Sequence, residues 1–118
     1  MTSSEIKAAL DELIELAENG KALEAFDKFY HVDLVAQEND TEPRIGKATS
    51  RIYEENFLSK ITHLREYKAV DIIVGSNVSA ISWKVDFDHE EWGVVNMTEI
   101  NVQVWEDGQI IKETYYYN

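Results

Sequence analysis

From Tyr67 to the C-terminus the apolar residues recur at every second position, and this period belongs to strands with one buried face. The pattern breaks at Gly75-Ser76-Asn77, at His89-Glu90-Glu91-Trp92-Gly93 and at Asp107-Gly108, which predicts four consecutive strands in hairpin order. Asp107-Gly108 is the sharpest of these breaks. A two-residue type I′ turn needs positive φ at both central positions, and Asp-Gly is among the few pairs that accept it. Such a turn pairs Glu106 with Gln109, Val104 with Ile111, Val102 with Glu113 and Ile100 with Tyr115. Paired residues share a face, so Ile100, Val102, Val104, Ile111, Glu113 and Tyr115 are expected on the core side. The opposite face then collects Glu99, Asn101, Gln103, Lys112 and Thr114, joined by Trp105 and Tyr116. The same reasoning at Ser76-Asn77 pairs Ile72 with Ile81 and Val70 with Trp83, and adds Val85 and Phe87 to the core side.

The N-terminal part is helical in period. Ile6, Leu10, Leu13, Ile14 and Ala17 form one apolar stripe, opened by a Thr2/Glu5 capping box and stopped at Asn19-Gly20. A second short helix carries Leu23, Phe26, Phe29 and Tyr30, so the two make a hairpin. A strand from Val32 to Glu38 follows, then a loop holding Pro43. Gly46 opens a third helix whose face of Ile52, Tyr53, Phe57, Ile61 and Leu64 predicts the longest and most buried of the three. These elements make one α+β domain spanning residues 1–118.

Composition narrows the function classes. Eleven Lys and Arg against 23 Asp and Glu give a formal charge of −12, which repels phosphate backbones and anionic headgroups, so nucleic acid and membrane surfaces are not expected partners. Cysteine is absent, which removes disulfides, thiolate metal sites and a Cys nucleophile, and makes the cytoplasm the expected location. His31, His63 and His89 fall in different elements without metal-ligand spacing, so no metal site is expected. His89, at a hairpin end, is expected as a solvated imidazole, or as one that reaches the pocket from the rim of a cone. No phosphate loop, nucleophile elbow or dinucleotide fingerprint occurs.

Several segments together resemble the SnoaL-like family, within the superfamily that holds nuclear transport factor 2 and ketosteroid isomerase. They are Phe29-Tyr30-His31-Val32-Asp33-Leu34-Val35 leading into Gln37-Glu38-Asn39, then Pro43-Arg44-Ile45-Gly46-Lys47, the Val78 to Phe87 strand with Trp83, and Val104-Trp105-Glu106-Asp107-Gly108-Gln109-Ile110. The resemblance implies a cone-shaped, curved antiparallel sheet wrapped around a long helix, a cystatin-like α+β roll. It also implies a pocket for small, often apolar molecules, commonly in a homodimer formed through the outer sheet faces. Family members include polyketide cyclases, isomerases and dehydratases, which need no cofactor. In the cyclases the last strand contributes a His and an Asp, and the matching positions here are Glu113 and Tyr115, a departure that sets this chain apart from them.

Glu113 is the exception on the expected inner face, a carboxylate among apolar neighbours. It is either a general base with a raised pKa or a structural group tied to Arg44, Arg51, Arg65 or a tyrosine hydroxyl. Tyr115 and Tyr53 are candidates to donate a hydrogen bond to a ligand carbonyl or enolate, or are core tyrosines with satisfied hydroxyls. Trp83, Val102 and Ile111 are expected as pocket walls, and Gln37 near its mouth. Trp105 and Tyr116, on the polar side, suit a wet dimer interface or simple exposure to solvent. Proton transfer by Glu113, with Tyr115 steadying negative charge, makes one expectation; a module that only binds a ligand or dimerises makes the other.

Overall fold

A computed structural model describes residues 1–118. The helical hairpin is α1 (Ser3–Glu18) and α2 (Ala22–Phe29), followed by strands β1 (Tyr30–Glu38) and β2 (Arg44–Ile45) and by helix α3 (Lys47–Ser59). Four strands complete the chain: β3 (Ile61–Val74), β4 (Val78–His89), β5 (Gly93–Glu106) and β6 (Gln109–Tyr116). The expected capping box starts α1, with Thr2 Oγ1 accepting from the Glu5 amide and Glu5 Oε1 accepting from the Thr2 amide. Gly20 ends the helix at φ +76°, a conformation that costs glycine little.

The sheet runs β2-β1-β6-β5-β4-β3. Its meander from β3 to β6 is antiparallel as expected, whereas β1 lies parallel to β6, so the whole is a mixed, curved α+β sheet with helices on its concave side. Ile6, Leu10 and Leu13 of α1, Phe26 and Phe29 of α2, and Ile81, Trp83, Val85 and Phe87 of β4 meet in one core cluster.

Three expectations need correction. The third helix stops at Ser59, shorter than α1, and of its residues only Ser50 is buried, while Ile52 is exposed. Ile61 and Leu64 belong to β3, because the β-branched pair Ile61-Thr62 opens a strand that pairs with β4 all the way to His89. Tyr30 likewise begins β1 rather than ending α2.

The second correction concerns β3. Ile72 faces Ile81 as expected, but a bulge lies between Ala69 and Asp71, so Ala69 rather than Val70 stands opposite Trp83, and Val70 is exposed.

The third inverts β5. Glu106 pairs with Gln109 across the expected turn, where Asp107 and Gly108 have φ of +51° and +82°. Beyond it Trp105 pairs with Ile110 and Val104 with Lys112, so Ile111 is a bulged residue that shifts every later pair by one. Glu113 therefore stands opposite Gln103, not Val102. The inner face of β5 is Asn101, Gln103 and Trp105, all buried, and the outer face is Ile100, Val102 and Val104. These polar residues tolerate the inside because, apart from Asn101 Nδ2, they satisfy one another. Trp105 Nε1 donates to Ser79 Oγ (2.9 Å), Ser79 Oγ donates to Gln103 Oε1 (2.7 Å), and Gln103 Nε2 donates to Asn101 Oδ1.

Candidate functional site

Between the concave side of the sheet and α3 lies a half-open cavity of about 580 Å³. Its walls are aromatic and apolar: Tyr53 and Phe57 come from α3, Tyr67 from β3, Phe87 from β4 and Met97 from β5. Trp92 lies at one end, stacked at 4.3 Å on His89, and Tyr115 and Tyr117 lie at the other. His89 is buried rather than solvated. Its Nδ1 accepts from the Glu91 amide, its Nε2 lies 3.2 Å from the Phe57 carbonyl, and its ring stacks on Phe57.

Three carboxyls line this space, Glu38 at the end of β1, Glu54 on α3 and Glu99 on β5. Glu38 is neutralised by Arg44, whose Nη2 donates to it at 2.9 Å while the guanidinium lies over the Tyr53 ring at 3.8 Å. Glu54 and Glu99 have no basic partner. Desolvation is the main cause that pushes Glu54 up to about 8 and Glu99 up to about 7, with neighbouring carboxylates, Glu113 and Glu38 among them, adding to it.

Glu113 sits behind this wall, 2% exposed. Its carboxylate accepts from the Tyr30 hydroxyl and, at 2.9 Å, from the Tyr115 hydroxyl. Burial pushes its pKa up to about 7 against these tyrosines and the Asn101 amide, which favour the charged form; the amide does so without a well-formed hydrogen bond. Desolvation and the facing carboxyl hold both tyrosines well above their ordinary pKa, so their hydroxyls remain donors. Of the structural partners the sequence offered Glu113, three arginines or a tyrosine, tyrosines hold it. Arg44 is on Glu38, Arg51 bridges Asp27 and Glu55, and Arg65 bridges Asp86 and Asp88.

Tyr53 and Tyr115 thus line the cavity, and Glu113 reaches it through Tyr115. Trp83 is core, stacked on Tyr67 at 4.8 Å, and borders only a smaller inner chamber. Val102 and Ile111 lie outside the cavity as a result of the inverted register, and Gln37 turns away to donate to the Thr41 carbonyl at 2.8 Å. Glu54, Glu99, Tyr30 and Tyr67 were not expected here. The spacing of Glu54 and Phe57, three apart on one helix, was a usable signal; Glu99 was hidden by the register.

Fold and site together define a helix-backed, cone-shaped α+β sheet around an aromatic cavity lined by half-buried carboxyls, with a fully buried one behind it. The SnoaL-like domain model matches residues 1–117, and the chain belongs to that family. Solved structures agree on the fold. A protein from Mesorhizobium loti named as a SnoaL-like polyketide cyclase is 21% identical with a TM-score of 0.85, over 95% of this chain and 98% of its own. A protein from Bacillus subtilis named as an isomerase is 18% identical with a TM-score of 0.78, over 100% of this chain and 90% of its own. An epoxide hydrolase from M. tuberculosis is 15% identical with a TM-score of 0.77, over 98% and 84%. No curated protein matches the sequence.

Proposed function

We propose that the cavity binds a small, largely apolar metabolite and moves a proton on it without a cofactor, in an isomerase-, dehydratase- or cyclase-type reaction. The observation that carries this reading is the convergence on one aromatic-walled cavity of Glu54 and Glu99, with pKa values of about 8 and about 7 and no ion-pair partner. Carboxyls poised near neutral pH both take and return a proton. Glu113 supports them from behind through the Tyr115 hydroxyl, which faces the same space as Tyr53. The names of the cyclase- and isomerase-like structures point the same way.

The test is α-proton exchange of 2-tetralone in deuterated buffer, followed by NMR. The wild type is expected to accelerate exchange, and Glu54→Gln or Glu99→Gln to lower the rate by about 100-fold. Saturable binding of the ketone without exchange would leave a binding module and remove the proton transfer.

The same reading includes a homodimer in the cytoplasm. Its support is the outer sheet face, where Val78 pairs with Val104, and Ala80 with Val102, beside half-exposed Ile100 and Tyr116. Contiguous exposed apolar surface of this kind marks an interface. Trp105 is buried inside and takes no part in it.

A further inference from the structure

The buried chain from Trp105 to Asn101 has its direction fixed at one end. An indole N–H only donates, so Ser79 Oγ must accept from Trp105 and direct its own hydrogen to Gln103 Oε1. With its carbonyl side occupied, Gln103 donates through Nε2 to Asn101 Oδ1. Asn101 is thereby held with Nδ2 turned away from the chain. The residue is 3% exposed, and Nδ2 has no hydrogen-bond partner in the protein. Buried amide donors are rarely left in that condition.

Asn101 borders the inner chamber, a space of about 50 Å³. The chamber shares Glu54, Tyr67 and Tyr115 with the main cavity and is otherwise walled by side chains such as Trp83, Phe26 and Tyr30. A single water needs on the order of 10–15 Å³, so there is room for an oxygen with one carbon attached, and none for a ring. Three polar groups on its lining have no hydrogen bond within the protein: Asn101 Nδ2, which donates, the Glu54 carboxyl, whose oxygens accept, and the Tyr67 hydroxyl, which can do either. A carbonyl satisfies both Asn101 and Glu54 only while Glu54 is protonated, and an ammonium satisfies only Glu54. A carboxylate gains nothing from Glu54 once that group ionises, whereas the carboxyl oxygen of Glu54 accepts from a hydroxyl in either state. A hydroxyl satisfies both Asn101 and Glu54.

We infer that the inner chamber is a subsite for a hydroxyl oxygen, which accepts from Asn101 Nδ2 and donates to Glu54. The inference rests on the cavity reading above and sharpens it. The oxygen comes from an alcohol group at the end of an apolar ligand seated in the main cavity, or from water held beside that ligand; the recognising chemistry is the same.

Two measurements decide it. A crystal structure of the unliganded protein is expected to show an oxygen bonded to both Asn101 Nδ2 and Glu54. By calorimetry, 2-phenylethanol is expected to bind about tenfold more tightly than n-propylbenzene, and Asn101→Leu to erase that preference. Asn101→Asp, which keeps the shape and removes the donor, should erase it as well and serves if the leucine variant does not fold. An oxygen in the crystal with no preference for the alcohol assigns the subsite to water. Direct bonding of Asn101 Nδ2 to Glu113, with no oxygen beside Glu54 and no preference for the alcohol, overturns the subsite while binding of propylbenzene keeps the cavity reading. If neither compound binds, the cavity reading fails and the crystal alone decides the subsite.

Discussion

Glu54 sits on α3 where the side chains of β3, β5 and β6 enclose it, and no Lys or Arg pairs with it. Its ionised form faces Glu113, Glu38 and Glu99, so the folded protein resists its deprotonation. A carboxyl with a raised folded pKa opposes folding once pH exceeds its unfolded value, and the cost is complete above the folded one. Glu54→Gln removes that cost. The variant is therefore expected to match the wild type at about pH 4 and to exceed it by about 4 kcal/mol at about pH 8.5, in urea unfolding at the two pH values. Equal stability gains at both would show that packing, not charge, separates Gln from Glu. The arrangement keeps a destabilising group where chemistry uses it, as functional sites commonly do.

At the scale of elements, single extra residues decide which side chains reach the cavity. Ile111 on β6 is such a residue; without its bulge Glu113 would pair with Val102 and share its outer face. The Asp107-Gly108 turn that starts this hairpin was readable because its φ values demand particular residues, whereas Ile111 has no side-chain signature that marks a bulge. Val70 hides the bulge of β3 for the same reason. The turn itself gives a clean test. A Cβ on Gly108 would meet no atom within 4 Å, so Gly108→Ala is strained only by its φ of +82°. It is expected to lower stability by about 1–2 kcal/mol in denaturant unfolding, with the cavity unchanged. A neutral outcome would mean that the turn relaxes out of its I′ form.

For the whole molecule, charges act in two opposing sets. Asp27 and Asp88, held by Arg51 and Arg65, stay below the ordinary carboxylate range, so their contribution is lost as pH falls through those lowered values. Glu54, Glu99 and Glu113 are raised from 4.5 to about 8, 7 and 7, so stability falls as pH rises from 4.5 through that range. Unfolding midpoints in urea should therefore peak at about pH 4 and decline towards pH 8; a maximum at or above pH 8 would contradict the raised carboxyls. Association belongs to this scale too. Sedimentation is expected to find a dimer, and Val102→Glu, on the outer face, to yield a monomer; an unchanged mass would place any interface elsewhere. The local signals determined the elements and their order: a capping box, a helical stripe, three hairpin breaks and a residue pattern that resembles SnoaL-like proteins. Period and turn chemistry are written in neighbouring residues, which is why Glu113, Tyr115 and Tyr53 could be singled out. Tertiary structure alone decided that β1 runs parallel to β6, that polar Asn101 and Gln103 lie inside while Ile100 and Val102 lie outside, and that Glu54 and Glu99 meet across the cavity. Those outcomes depend on register and on hydrogen bonds between residues far apart in the chain, and a burial pattern read along one strand carries neither.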